Sequence, residues 1–156
     1  MSPSLFSHRH RVGYAECTVG NHVYYARYLD IIEEARGELF RAAGLPLLRL
    51  QEQGTIFPVI ECRLRYHSAA RFDDLLQIDA WLVELSGARL TISYRVSREP
   101  NQLILEGTVR HVCTSLEEKP KRLPTHVIMG LSCHLKEESR QTVVRERSKR
   151  RERAKV

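Results

Sequence analysis

The chain has 156 residues, of which 42% are hydrophobic and 28% charged, proportions typical of one globular domain that buries a core without disulfides or metal. It has no stretch of about 18 consecutive apolar residues, so no membrane span is expected. Residues 1–14 lack the apolar core of a signal peptide, which favours a cytoplasmic location.

The positive charge lies at the C-terminal end. Residues 136–156 carry nine basic and four acidic side chains, whereas residues 1–135 carry 16 and 15, within a formal net charge of +6. We therefore expect one near-neutral domain over residues 1–135 and a basic, disordered tail over residues 136–156. Such a tail is either an attractive surface for an acidic partner or a solvated end with no binding role.

The longest amphipathic pattern predicts one long helix. Apolar or small residues recur three or four apart from Tyr28 to Ala43, which places them on one helix face. Gly44 and Pro46 follow as stop signals. A short strand over residues 8–15 and a polar loop precede the helix.

Strand periodicity replaces helix periodicity after residue 56. Alternation with period two predicts four strands, over residues 57–67, 75–85, 89–96 and 102–115. Tight turns between long strands favour an antiparallel meander. With the first strand, this predicts an α+β domain in which a five-stranded antiparallel sheet wraps the central helix. The other face or an edge of the sheet is then left for a second subunit.

The loop before the helix is the first candidate site. Thr18, Gly20, Asn21 and His22 gather small and hydrogen-bonding side chains where the helix start exposes unpaired N–H groups. Such a helix start suits an anion or a polarised carbonyl oxygen. The alternative is ordinary capping of the helix by Thr18 or Asn21.

Metal and disulfide chemistry are not indicated. The four cysteines have no CxxC spacing, and the histidines are scattered apart from His8 and His10 near the start. We expect no cofactor and no metal.

Three stretches resemble one known family. The first is GNHVYYARYL at residues 20–29 followed by EEAR at 33–36, the second is YHSAARFDD at 66–74, and the third is Glu106-Gly107 with Pro120 and Pro124 after it. In this order and spacing they resemble the hotdog-fold acyl-CoA thioesterases of the 4-hydroxybenzoyl-CoA thioesterase-like family, over about residues 8–131.

The resemblance implies a hotdog fold, a homodimer or homotetramer, and active sites at the subunit interface near the helix start. The implied reaction is hydrolysis of acyl-CoA or acyl-carrier-protein thioesters, with no membrane involved and nucleic acid an unlikely partner. The backbone N–H groups from Val23 to Tyr25 are the candidates for the oxyanion hole.

One position departs from the family. The family commonly has a catalytic aspartate where this chain has Thr18, and a threonine hydroxyl is not a carboxylate base. The loop also resembles that of hotdog thioesterases from enediyne pathways, which use a loop amide and a helix arginine. Thr18 falls at the amide position and Arg36 matches the arginine, which favours a positioned water over a strong base.

Candidate site residues follow from the helix start and the resemblance. The catalytic candidates are Thr18, Asn21, His22, Val23, Tyr25, Glu33 and Arg36. The substrate-binding candidates are Tyr24, Arg63, Arg65 and Arg71, the arginines being suited to phosphates.

Several of these residues have plainer alternatives. His22 either orients water or bonds to backbone, and Tyr25 stands where one branch of the family has a histidine. Glu33 or Glu34 is either a recovered base or a solvated carboxylate, and Arg36 either clamps substrate or pairs with Glu33. The alternative function is a non-catalytic hotdog module that binds acyl thioesters, or a polyanion through the tail.

Overall fold

The computed structural model describes residues 5–136. Its elements in chain order are β1 (Phe6–Arg11), β2 (Cys17–Thr18), β3 (His22–Val23), α1 (Arg27–Ala42), α2 (Leu47–Glu52), β4 (Val59–Tyr66), β5 (Leu75–Ser86), β6 (Arg89–Arg98), β7 (Gln102–Val112) and α3 (Thr125–Leu131), with 3₁₀ turns at Tyr14–Glu16 and Ser132–His134. The predicted α+β fold is confirmed. The predicted tail falls outside the described residues except for Lys136.

The main sheet is antiparallel, with strand order β1-β5-β6-β7-β4. The expected meander holds for β5, β6 and β7, but β4 crosses to the far edge and pairs with β7 rather than with β5. The free edge of β5 is instead taken by β1. Alternation in the sequence identified β4 as a strand but carried no information about its partner, since every strand has the same period.

The core lies between α1 and the face of the sheet that wraps it. Six residues of α1 are buried: Tyr28, Ile31, Ile32, Ala35, Leu39 and Phe40. They pack in one hydrophobic cluster with the helix-facing side chains of β5 and β6, among them Ile78 and Ile92. Each fully buried aliphatic side chain contributes roughly 1.5–3 kcal/mol to folding, so this interface fixes the position of α1. Leu29 lies outside the buried stripe.

The end of α1 follows its stop signals. The helix ends at Ala42, and Gly44 adopts a φ of +74°, the left-handed conformation that favours glycine after a helix. Within residues 5–136 no helix is both long and apolar enough to cross a membrane.

Gly107 allows β4 and β7 to approach closely. A Cβ atom at this position would lie 2.1 Å from the carbonyl oxygen of Arg63 and 2.9 Å from Cα of Leu64. Both contacts are with the backbone of β4, which cannot rotate away as a side chain can. Position 107 therefore requires glycine for β4 to pair with the sheet.

We expect Gly107→Ala to lower the free energy of unfolding by at least about 2 kcal/mol, because β4 must separate from β7 to admit the methyl group. Gly37→Ala is the matched control: a Cβ there meets nothing within 4 Å. Alanine inside a helix should raise stability by about 0.5–1 kcal/mol. Urea unfolding of the three proteins measures both changes, and equal stability of wild type and Gly107→Ala would contradict the close approach.

Candidate active site

The loop before α1 is a small hairpin. β2 and β3 pair Cys17 with Val23 and Thr18 with His22, and the N–H of Asn21 donates to the carbonyl of Thr18 at 3.1 Å. Gly20 and Asn21 have φ values of +84° and +56°, which glycine and asparagine tolerate best. The glycine and asparagine seen in the sequence therefore shape the turn of this hairpin.

The hairpin is attached to the connection between β4 and β5. The N–H of Phe72 donates to Oδ1 of Asn21 at 3.1 Å, and Nη1 of Arg71 donates to the carbonyl of Gly20 at 3.2 Å. The N–H of Val23 donates to the carbonyl of Ala70 at 2.9 Å. Asn21 and Arg71 thus stabilise the loop directly, whatever else they do.

The start of α1 has no side-chain cap. Of the three predicted oxyanion donors, Val23 N–H is taken by Ala70 and Tyr24 N–H donates to the carbonyl of Glu16 at 2.9 Å. Among residues 5–136 the N–H groups of Tyr25 and Ala26 have no such acceptor. Of the three predicted donors only Tyr25 therefore stays available, and the structure adds Ala26, which was not predicted.

Aromatic side chains surround these donors on the surface. Tyr25 is 63% exposed, and its ring centroid lies 4.7 Å from that of Tyr24. The hydroxyl of Tyr66 donates to the carbonyl of Tyr25 at 3.0 Å, which ties the helix start to the end of β4. On the other side, the exposed rings of Tyr14 and Phe72 meet edge to face at 5.9 Å. A flat or extended acyl group would find apolar surface here.

Thr18 and His22 face solvent from the hairpin. Both are exposed, and the described part of the chain offers neither side chain a hydrogen-bond partner. The capping role considered for Thr18 and the backbone bond considered for His22 are therefore absent from this structure. Either side chain is free to hold a water molecule.

The two glutamates considered as bases are both engaged. Nε of Arg36 donates to Glu33 at 2.9 Å and Nη2 donates to the same carboxylate, so the alternative of an intrahelical pair is what the structure shows. Glu34 points instead toward β1, where it contacts His8 and His10. The side chain of Arg36 is only 11% exposed and lies 6.0 Å from the ring centroid of Phe40.

A buried polar residue, His111, lies near Arg36 and was not among the predicted site residues. His111 is fully buried, its Nδ1 donates to the carbonyl of Phe57 at 3.0 Å, and its Nε2 has no partner within residues 5–136. Burial first, and then the positive charge of Arg36, lower the pKa of His111 from 6.5 to about 4. Burial likewise raises the pKa of the Tyr94 hydroxyl, which also interacts with Arg36. Both groups are therefore neutral near pH 7.

Arg63 and Arg65 are not brought to the loop. Cys62 pairs with the buried Val109 of β7, and strand alternation places the two arginines on the opposite face of the sheet from α1. Arg63 there donates to Glu61 at 2.8 Å. Of the three predicted phosphate-binding arginines, only Arg71 lies at the hairpin.

Within residues 5–136, no group of histidine, cysteine, aspartate and glutamate side chains is arranged to hold a metal ion. What the geometry does provide is an uncapped helix start beside an exposed aromatic surface. This arrangement is suited to holding a carbonyl oxygen.

A helix wrapped by a five-stranded antiparallel sheet, with an open donor pair at the helix start, defines a hotdog-fold domain. Residues 12–131 match the sequence model of the Thioesterase-like superfamily, so the chain belongs to that superfamily. The predicted family and the predicted enzyme class, a thioester hydrolase, are thereby confirmed.

Known proteins agree with this assignment. The acyl-CoA thioesterase YbgC of Haemophilus influenzae is 36% identical over 125 residues, covering 78% of this chain and 90% of that protein. The hypothetical protein TT1821 from Thermus thermophilus has a crystal structure that aligns with a TM-score of 0.77 at 35% identity, covering 82% and 98% of the two chains. The Dynemicin thioesterase aligns with a TM-score of 0.78 at 20% identity over 85% and 98%, which shows the shared fold alone.

The buried His111 predicts a loss of stability in acid. The unfolded chain takes up this proton near its ordinary pKa of 6.5, but the folded chain only near about 4. The free energy of unfolding is therefore fully retained above pH 6.5 and falls as the pH approaches 4, by about 3 kcal/mol for this group.

We expect His111→Gln to remove this contribution, so that urea unfolding at about pH 7 and about pH 4.5 shows a smaller difference than in wild type. His126→Gln, which changes an exposed histidine of α3, is the control and should keep the wild-type difference. An unchanged pH dependence in His111→Gln would contradict the neutral state of the buried imidazole.

Proposed function

We propose that this chain hydrolyses acyl-CoA or acyl-carrier-protein thioesters at the start of α1. The observation that carries the proposal is the uncapped helix start, where the N–H groups of Tyr25 and Ala26 point to no acceptor. These donors, reinforced by the positive end of the helix dipole, would stabilise the oxyanion that forms when water attacks the thioester carbonyl. The name of the Haemophilus influenzae relative supports acyl-CoA as a substrate.

Water is positioned in this mechanism rather than strongly deprotonated. Glu33 is paired with Arg36, and about 12 Å of helix axis separate it from Tyr25, since each residue adds about 1.5 Å. Thr18 and His22 are the polar side chains that the hairpin presents beside the donors. Thr18 holds the attacking water and His22 orients it or accepts its proton, while proximity supplies much of the rate.

Dimerisation through β4 would complete the site. β4 pairs only with β7 among the described strands, and its apolar residues Val59 and Ile60 are exposed, Ile60 to 56%. An unpaired edge with exposed apolar side chains is a surface that another chain can cover. A two-fold axis at this edge would make the two β4 strands antiparallel, which gives a homodimer, and two such dimers a homotetramer.

This pairing brings the two halves of the proposed site together. Tyr25 lies at the end of β4, next to Tyr66, whereas Arg36 lies near its start, beside His111, which pairs with Val59. Antiparallel pairing would set the start of one β4 beside the end of the other. The Glu33–Arg36 pair of each protomer would then face the hairpin of its neighbour, where Arg36 stabilises negative charge on the substrate.

The positions of the other candidate residues indicate which parts of the substrate they would contact. Tyr24 and Tyr25 line the entrance for the acyl or pantetheine portion, and Arg71 supplies the nearest positive charge for a phosphate. Arg63 and Arg65 are left as contacts for a more distant part of the substrate on the outer sheet face. The basic residues after 136 would favour an acidic carrier protein. The cytoplasmic location stays a prediction.

Steady-state hydrolysis of matched acyl-CoA and acyl-carrier-protein panels tests the activity. We expect turnover by wild type and a fall of about 10- to 100-fold in kcat for Thr18→Val, which keeps the shape of the side chain but cannot hold water. Thr18→Asp should also lose activity, because a carboxylate repels the developing oxyanion when the mechanism does not use it as a base.

A wild type without activity would favour the second candidate, a non-catalytic hotdog module that binds acyl thioesters or, through its tail, a polyanion. That candidate is motivated by the partners of the two glutamates considered as bases. Glu33 is paired with Arg36 and Glu34 with His8, so neither carboxylate is free to act at the hairpin. Wild type without turnover on any substrate, and a large gain in Thr18→Asp, would identify a site that has lost its base.

The proposed interface predicts the effect of a charge on β4. We expect Ile60→Lys to halve the mass measured by light scattering after gel filtration and to lower kcat/KM at least about tenfold, because an unpaired charge blocks edge pairing. Met129→Lys changes an apolar residue of α3 that is even more exposed, and it should leave both the mass and kcat/KM unchanged. A wild-type monomer, or an Ile60→Lys variant with wild-type mass, would rule out this interface.

A further inference from the structure

A chain of alternating histidines and glutamates connects β1, α1 and the hairpin. His8 Nε2 lies 2.8 Å from Oε1 of Glu34, and Oε2 of Glu34 lies 3.1 Å from Nδ1 of His10. On the other side of the ring, His10 Nε2 lies 2.9 Å from Oε1 and 3.0 Å from Oε2 of Glu16. We call these four residues the His–Glu relay.

Both ring nitrogens of His10, the central histidine of the relay, face carboxylates. An ionised carboxylate only accepts hydrogen bonds, and a neutral imidazole has only one N–H to donate. Because both nitrogens of His10 face carboxylates, the geometry is that of an imidazolium between Glu16 and Glu34. The side chain of His10 is 16% exposed, so these charge-assisted bonds are partly shielded from water.

Glu16 connects His10 to the hairpin through its own hydrogen bonds. Its carboxylate accepts the N–H of Gly13 at 2.6 Å, and its carbonyl accepts the N–H of Tyr24 at 2.9 Å. The residue after it, Cys17, begins β2. Glu16 therefore holds the chain on both sides of the hairpin, and Tyr24 directly precedes the proposed donor Tyr25.

Glu34 anchors the other end of the relay. It lies on α1, whose buried stripe fixes the helix against the sheet, and it contacts His10 from that rigid element. Backbone pairing of His10 with Leu76 holds β1 against β5. His10 thus joins the hairpin to two elements whose positions are already set by the core.

We propose that His10 is a positioning residue for hydrolysis: as an imidazolium clamped between Glu16 and Glu34, it sets the position of the hairpin and of the Tyr25 N–H relative to α1. This inference rests on the proposed function, since it assumes that the helix start is where the thioester reacts. His10 does not touch the substrate. It acts through Glu16, and a displacement of about 1 Å in a reacting group is enough to cost about 100-fold in rate.

The groups that face His10 come from two elements besides its own strand. They are Glu34 from α1 and Glu16 from the 3₁₀ turn, with His8 of β1 reaching it only through Glu34; β5 contributes the uncharged Leu76. A ring that donated from only one nitrogen would keep only one of the two bonds to carboxylates. The hairpin would then lose one of its two attachments through His10.

Kinetics of three variants on the best acyl-CoA substrate test the proposal. We expect His10→Leu to lower kcat about 10- to 100-fold with KM changed less than about threefold, because orientation rather than binding is lost. His10→Arg keeps a permanent cation that can donate to both carboxylates, so it should recover much of the rate. His8→Leu removes only the outer bond to Glu34 and should stay within about threefold of wild type.

A spectroscopic readout separates this role from simple packing. In a ¹⁵N-labelled protein, His10 should show two protonated ring nitrogens at the pH of maximal activity, and Glu16→Gln should abolish that signature and lower kcat. Glu16→Gln also serves if His10→Leu does not fold, since it keeps the shape of the side chain.

Different outcomes would contradict the positioning role of His10 and the proposed function. A neutral His10 ring at the pH of maximal activity, an unchanged kcat in His10→Leu, or an equal loss in His8→Leu would overturn the positioning role while leaving the proposed function standing. Wild type that hydrolyses no thioester would overturn the proposed function, whereas the protonated ring would still be visible in the spectrum.

Discussion

The backbone of Ala70 holds the start of α1 in place, and the candidate site depends on it. The carbonyl of this buried residue accepts the N–H of Val23 and its own N–H donates to the hydroxyl of Tyr28, so one residue joins β3, the helix and the connection after β4. The hydrophobic stripe fixes how α1 lies on the sheet, but these two polar bonds fix where it begins. They also consume Val23 N–H, which leaves the next free donors at Tyr25 and Ala26.

Charge is distributed around α1 in two separate systems. Toward β7 and β4, Arg36 is paired with Glu33 above the neutral His111 and Tyr94, a layer whose burial favours uncharged groups. Toward β1, Glu34 belongs to the His–Glu relay. Adjacent helix residues point about 100° apart, which is why Glu33 and Glu34 reach different neighbours from the same helix. One system faces the proposed interface, and the other supports the hairpin from within the subunit.

Local patterns were sufficient for the long elements and for the family. Periodicity predicted α1 and the long strands, whereas the short β2, β3 and α2 lay in segments predicted only as polar connections. The strand order was not accessible, since β4 has the same alternation whether it pairs with β5 or with β7. The loss of Val23 and Tyr24 as donors was hidden for a similar reason. Their acceptors, Ala70 and Glu16, are backbone carbonyls, which no side-chain motif reveals.

The sequence by itself determined the α+β class, the superfamily and the polar loop that leads into α1, because these depend on local spacing and on residue types that tolerate few substitutes. Only the tertiary structure decided which charges meet. His8 and His10 were a pair of histidines without a carboxylate partner in the sequence until β1 lay beside α1, and His111 looked like an ordinary strand residue until α1 covered it. Contacts between distant segments depend on how elements pack, and packing is a property of the whole core rather than of any one stretch.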